Sequence, residues 1–264
     1  MNPWILLLTG WISMVIVMAG LWLVQKWRGD AGIVDVAWGL GVGCLGVIFA
    51  TLSHSGDPTR RWFVASMAAL WALRLSSHIA LRLLTLPEDG RYQQLKELWG
   101  TRAQWNLFLF FQLQAFWSVL FAIPILLAAS NPLPMWRPLD VAAIAFWVVA
   151  MAGEAFADAQ LSRFRNNPAN VGKVCRTGLW RYSRHPNYFF EWLHWWTYVC
   201  FAIGSGWGWL SLGGPVVMLY FLLKVTGVPP TEAQALKSRG DAYREYQRTT
   251  SVFFPWPPRK GTSE

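Results

Sequence analysis

Seven apolar runs, most of them near the length a bilayer demands, occupy the chain up to position 225. They lie at roughly 3–24, 32–52, 62–84, 106–130, 139–159, 188–203 and 207–225, and a membrane-crossing helix needs about 20 apolar residues. In lipid every backbone polar group must be satisfied within the chain, so runs of this length become helices. The predicted fold class is therefore all-α, a polytopic integral membrane helix bundle of about seven transmembrane helices. The sixth run is short and only Gly204-Ser205-Gly206 parts it from the last, so these two also read as one broken hairpin. The first run has no basic segment before it and no small-residue cleavage site after it. It is expected to be a retained span rather than a signal peptide.

Charge placement orients these spans. Only 14% of the 264 residues are charged, against about 25% in an ordinary soluble domain, and the abundance of apolar residues excludes a disordered chain. The net charge is +9. Nineteen of the 23 Lys and Arg residues fall in loops and a tail on one side. The other side holds Arg60, Arg61 and Arg137, and Arg74 lies within a span. The positive-inside rule then predicts an N-out, C-in topology, in a membrane expected to be the bacterial inner membrane. It also accounts for the net charge without a nucleic-acid partner, because the basic residues follow loop sidedness instead of forming one stripe. The 19 Trp residues suit membrane interfaces, where the ring is buried and the N–H stays wet. Three scattered cysteines, Cys44, Cys175 and Cys200, make no disulfide or zinc framework.

Polar residues inside spans are expensive, about 2.5–3.5 kcal/mol for a charge at mid-bilayer, and so need a partner or a task. Asp35, Arg74, His78, Glu154, Asp158, Glu191 and His194 are in this position. Arg74 and His78 share a helix face, as do Glu154 and Asp158, and Asn187, Glu191 and Trp195 form a stripe beside His194. These stripes read either as interhelical pairing or as the wall of a site for a polar ligand. Asp35, near the start of the second run, reads as a cap. Gly41-x-Gly43-x-x-Gly46 matches a dinucleotide fingerprint by letter. It sits inside an apolar helical run with no strand before it, so close helix packing at Gly39-x-x-x-Gly43 explains it better. Four histidines are too few for a membrane di-iron centre, no matching second Glu-x-x-His exists, and no metal site is expected. A transporter is disfavoured by the lack of repeat symmetry among the spans.

The most informative segment is residues 158–195, DAQLSRFRNNPANVGKVCRTGLWRYSRHPNYFFEWLHW. Six Arg and Lys residues precede a helix start at Pro186. Such a cluster suits an anion, Arg gripping phosphate bidentately, while Trp180, Tyr182 and Tyr188 offer rings for stacking. The competing reading is a basic loop meeting anionic lipid.

GLWRYSRHPNYFFEWLHW resembles the C-terminal signature of the steroid 5-alpha-reductase-like superfamily, closest to the bacterial DUF1295 branch, and is similar to the sterol C14-reductase and lamin B receptor group. The resemblance covers residues 150–258 well, including the tail DAYREYQRTTSVFFPW; the N-terminal half matches in span layout and in pieces. It implies one membrane domain over 1–264, with substrate-side spans in 1–130, a cofactor-binding region over 139–258, and a cytosolic cap formed by the loop and the C-terminal tail. It implies an NADPH-dependent reductase of an activated C=C bond in a steroid-like, isoprenoid or other lipid, with the cofactor site facing the cytoplasm.

By position, the resemblance places Asp158 and Arg165 at the ribose and phosphates; Arg176, from the basic cluster, and Tyr182, from the stacking rings, are the loop's further cofactor candidates. It places Arg184, His185, Asn187 and Tyr188 around the nicotinamide and diphosphate, Trp195 one turn beyond Glu191, Tyr243 and Tyr246 in the tail near the cofactor, and Arg74 on the third span. Glu191 and Tyr92 are the candidate catalytic acids; for Tyr92 an interfacial tyrosine is the alternative. Phe190 replaces the family's glycine before the acid and narrows that face. Isoprenylcysteine and phospholipid methyltransferases, which use S-adenosylmethionine, share the R-H-P-x-Y motif and a tail acid that Glu232 echoes. They are the alternative function, and a non-catalytic membrane scaffold is the third.

Overall fold

The computed structural model describes residues 1–85 and 88–259, and every regular element among them is helical. The nine α-helices are α1 (Pro3–Arg28), α2 (Ile33–Leu52), α3 (Pro58–Thr85), α4 (Gly90–Trp99), α5 (Ala103–Ala129), α6 (Pro138–Arg165), α7 (Pro186–Ala202), α8 (Gly213–Tyr220) and α9 (Val228–Thr249), counted among the described residues. Among the described residues, six helical stretches are long and apolar enough to cross a membrane. The short sixth run becomes α7, 17 residues or about 26 Å of helix. The expected seventh span is not one regular helix: a 3-10 turn (Gly208–Leu212) leads into α8, and a π-turn (Phe221–Val225) follows it. Gly204, at φ 98°, lies in the break that precedes it.

The chain divides into two units. The first contains Met1–Asp140 and Tyr198–Ser211, the second Val141–Thr197 and Leu212–Glu264.

In the first unit α2 packs against α1, α3 and α5. Its glycines make that approach possible. A Cβ on Gly43 would stand 2.1 Å from Ala72 Cβ, and one on Gly39 2.7 Å from Ser76 Oγ. Close helix packing is thus the use of the Gly39-x-x-x-Gly43 pattern. Helix α1 starts at an Asn2 cap whose side chain accepts from Trp4 N at 2.9 Å, and it ends at Gly29, φ 80°. The exposed Trp4 and Trp27 mark its two ends, about 35 Å apart at 1.5 Å per residue, slightly more than the ~30 Å hydrocarbon core of a bilayer.

One end of this unit is closed by ions. Arg60, 0% exposed, donates to both carboxylate oxygens of Asp140 and to the carbonyls of Asn131, Leu133 and Pro134. Arg137 joins the same carboxylate and donates to Ile203 O at 3.0 Å, and Asn131 donates to Phe201 O at 2.7 Å. Arg61 covers the last carbonyls of α2, Ala50 O and Thr51 O. The three basic residues read as lying outside are therefore all engaged by carboxylate or carbonyl partners.

The second unit holds most of α6 and α7, together with α8 and α9. Phe190 lies against Gly153 of α6, where any Cβ would meet its ring at 2.3 Å. The bulk that replaces a glycine on α7 is thus accepted by a glycine on α6. Helix α9 is broken at Gly240, with φ 50° and ψ −124°. A straight helix would place Glu232 and Gln247 about 22 Å apart along its axis. Their side chains instead meet at 2.7 Å, so the two halves of α9 fold back on each other at that glycine.

Candidate functional site

The second unit gathers the R-H-P-N-Y loop, the fold-back of α9 and the tail. The chain enters the loop through Gly178, whose positive φ of 58° lets the backbone pass over Gln160, and Leu179 N donates to Gln160 Oε1 at 2.9 Å. Trp180 is buried and donates from Nε1 to Ala157 O at 2.9 Å. Tyr246 donates to Trp180 O and Ser183 O from below. The tail runs alongside: Arg184 N donates to Ser251 O at 2.8 Å, Ser183 Oγ to Phe253 O at 2.8 Å, and Trp256 N to Tyr182 O at 2.9 Å.

Glu232 is the hub of this region. It accepts Arg184 Nε at 2.6 Å, His185 Nε2 at 3.2 Å, Gln247 Nε2 at 2.7 Å and Tyr243 O–H at 3.4 Å. Burial opposes its ionisation, but the hydrogen bonds from His185, Arg184 and Gln247 and the charge of Arg184 outweigh it and hold the carboxyl at about 2. Burial lowers the His185 value below its ordinary range; Glu232 opposes the shift and Arg184 adds to it. Near neutral pH Glu232 is therefore an anion and His185 is neutral. An ionised carboxylate only accepts, so the imidazole proton sits on Nε2. Burial, then the Glu232 charge, raises Tyr243; burial and neighbouring Tyr243 raise Tyr246.

The candidate site residues separate into two groups. Asp158, Arg165, Arg176, Tyr182, Arg184, His185, Asn187, Tyr188, Glu191, Trp195, Tyr243 and Tyr246 belong to the second unit; Arg74 and Tyr92 belong to the first. Within the second unit, Asn187 Nδ2 donates to Asp158 Oδ1 at 3.2 Å, while Asn187 Oδ1 is buried and accepts from no donor among the described residues. Trp195 Nε1 donates to Glu191 Oε1 at 3.2 Å inside the same helix. The His185 and Tyr188 rings stack 5.2 Å apart, 5° from parallel, and the Tyr188 hydroxyl lies 3.1 Å from Thr231 Oγ1. Arg176 covers the Tyr246 ring at 5.5 Å and donates to Ala242 O at 2.6 Å. Arg184 also donates to Gln247 O and Thr250 O, so three of its five N–H donors are committed within the chain. Arg165 and Tyr182 are exposed.

In the first unit Tyr92 is buried on α4 and donates to Asp35 Oδ1 at 2.8 Å, and Arg91 reaches Asp35 Oδ2 at 3.2 Å. Asp35 is therefore not the cap of α2, whose first residue follows Gly32 with no side-chain cap; it anchors α4 instead. Asp89, which caps α4, is held below its ordinary value because hydrogen bonds from Arg91 outweigh its burial. Lys96 closes the arrangement on Glu88 at 2.6 Å and on Gly29 O at 2.6 Å. Arg74 is half-buried on α3.

Two residues of these clusters, Thr231 and Gln247, escape a reading by spacing: they are ordinary residues of a polar helix, and nothing local marks them. Glu232, singled out in the sequence as a tail acid, is also the first acid after a long apolar run. Among the described residues no three His, Cys, Asp or Glu side chains gather as a metal site.

A family model described as "Protein of unknown function (DUF1295)" matches residues 21–250. No curated protein and no solved structure matches the chain.

Proposed function

The chain belongs to the DUF1295 family, and from that footing we propose that it is an NADPH-dependent membrane reductase of a polarised C=C bond in a lipid. The observation that carries the reading is the Asn187–Asp158 pair. A buried amide oxygen with no donor, beside a carboxylate, is a costly arrangement for an empty protein interior and a suitable one for a ligand that brings O–H groups, as a ribose does. Asp158 and Asn187 would hold the ribose, and Arg165 and Arg176 would face the phosphates. The His185–Tyr188 stack would bound the flat rings. Arg184 contributes mainly by fixing the loop, since Glu232 and two carbonyls already engage it.

NADPH supplies the hydride when bound. The chain's own residues orient the partners, exclude water and hold the proton. Glu191 is buried at 7% exposure, with one oxygen fixed by Trp195, and is the proposed proton-holding group of the second unit. Tyr92, whose hydroxyl proton is held by Asp35 Oδ1, is the candidate catalytic acid of the first unit. The substrate class is a steroid-like, isoprenoid or other apolar lipid, which the membrane delivers. The N-out, C-in orientation in a bacterial inner membrane, with the cofactor facing the cytoplasm, belongs to the same proposal and rests on the one-sided placement of Lys and Arg along the sequence.

One observation favours a second reading. Glu232, the tail acid that echoes S-adenosylmethionine-dependent membrane methyltransferases, sits directly on Arg184 and His185. Titration of detergent-purified protein with NADPH and with S-adenosylmethionine separates the two. Retention of NADPH, weakened in Arg165→Ala by about 1.5–3 kcal/mol as loss of a charge-assisted contact requires, is the expected outcome. Retention of S-adenosylmethionine alone selects the methyltransferase, and retention of neither leaves the non-catalytic scaffold.

A further inference from the structure

We infer that the tail strap, residues 251–259, together with Arg181 and Tyr182, is a membrane-surface anchor that seats in the headgroup layer of an anionic leaflet. The strap is no loose end. Three hydrogen bonds, Arg184 N to Ser251 O, Ser183 Oγ to Phe253 O and Trp256 N to Tyr182 O, fix it along the R-H-P-N-Y loop, and a fourth, Arg259 N to Thr249 O, ties its end to α9, all at 2.8–2.9 Å. Its exposed side chains are therefore held in place. Phe254 is 52% exposed, Trp256 70% and Tyr182 42%. Large aromatic rings on a fixed segment outside any span are unusual in water and expected at a membrane interface.

Depth supports the placement. The Phe253 and Phe254 rings lie 5.6–6.0 Å from those of Phe189 and Trp192 on α7. These residues stand three and six positions after Pro186, about 4.5 and 9 Å along the helix. The polar layer of a leaflet is about 5–7 Å thick, so with the leaflet surface set at Pro186, where α7 begins, the strap would touch the helix where headgroups give way to hydrocarbon. Charge supplies the partner's sign. Exposed Arg181 and Arg259 flank the exposed rings, and neither the strap nor residues 176–186 contain an acidic residue. A cation beside an interfacial aromatic fits an anionic lipid headgroup. Because the strap also bonds Tyr182, Ser183 and Arg184, lipid that holds the strap also steadies the loop.

The test uses the full chain in lipid nanodiscs, with a fluorophore on Trp256→Cys in a Cys44→Ser background; Cys175 and Cys200 are buried. Discs of phosphatidylcholine, with or without phosphatidylglycerol, are probed with aqueous iodide and with a lipid nitroxide placed near the headgroup. Stronger quenching by the lipid probe, rising when phosphatidylglycerol is present, is expected. Arg181→Gln and Arg259→Gln should each lower the ratio of shielded to water-exposed label about fivefold, the effect of one cation near an anionic surface. Both residues are exposed, so correct folding of each variant is checked by an unchanged melting temperature in detergent. Full access to iodide with no lipid quenching overturns the anchor, and a ratio indifferent to phosphatidylglycerol and to both substitutions overturns its anionic partner. Neither result depends on which cofactor the protein binds.

Discussion

Each unit is tied together by an arginine–carboxylate pair, and the two pairs differ in one respect that governs what they can do. Arg60 and Asp140 in the first unit are both 0% exposed, and the guanidinium is surrounded by the carboxylate and three carbonyls. Arg184 and Glu232 in the second unit keep 10% and 13% of their side-chain surface, and Glu232 is shared with His185, Gln247 and Tyr243. A dry ion pair survives only with every donor placed, and losing one partner leaves an uncompensated charge in a low dielectric. It can hold a turn and little else. A pair that keeps some contact with water and shares its carboxylate among four donors can respond to a ligand or to a proton. The first unit is thus built by shape and sealed by a fixed ionic lock, and the second by a polar network that remains open to chemistry.

Breaking the dry lock should have the largest effect. Arg60→Ala leaves Asp140 with Arg137 as its one remaining guanidinium and three carbonyls without their donor, and should cost about 3–5 kcal/mol; thermal unfolding in detergent measures it, and a near-neutral result would mean water reaches the pair. Glu232→Gln removes an anion that accepts from two cation-capable partners, and should cost about 1.5–3 kcal/mol, the range for hydrogen bonds to charged groups. Acid sharpens the contrast. His185 is depressed below 6.5 in the folded chain, so its contribution is complete above 6.5 and is lost as pH falls from there. Glu232 lies at about 2 against an ordinary 4.5, so its contribution is complete above 4.5 and is lost on the way down to 2. Stability should therefore fall in two stages on acidification, and Glu232→Gln should remove the lower one. A single unchanged acid limb in that variant would mean another carboxylate governs it.

Shape in the first unit is tested by Gly43→Val. The new side chain must displace Ala72, whose Cβ already stands 2.1 Å from the added carbon, and overpacking of this kind costs about 1–3 kcal/mol. A melting temperature equal to the parent's would show that α2 and α3 slide apart freely. The smallest expected change is Trp180→Phe, which keeps the ring and removes the donor to Ala157 O, at about 0.5–1.5 kcal/mol.

Much of this arrangement was legible in the chain. The apolar runs predict α1, α2, α3, α5 and α6, because in lipid the backbone has no other way to satisfy itself. The start of α7 at Pro186 is written in the residue, since proline fits the first helical turn. The small residues at Gly39 and Gly43 announce a close helix crossing. Other features were not legible. Asp35 looks like a cap from its position and is instead the partner of Tyr92, 57 residues on. The last apolar run looks like one span and is interrupted by changes of helical type. The fold-back at Gly240 hides inside a polar helix, and without it Glu232 never meets Gln247.

Composition and periodicity alone settled that the chain is helical and membrane-embedded, because the solvent acts on each segment independently of its neighbours. The linear order also placed the R-H-P-N-Y motif at the start of a helix. Only the tertiary structure decided that Arg184 is engaged by Glu232, that Asn187 keeps a buried oxygen without a donor, and that the tail lies along the loop. Those depend on side chains 29 to 70 positions apart, and a hydrogen bond has no signature along the chain until folding closes the loop between its partners.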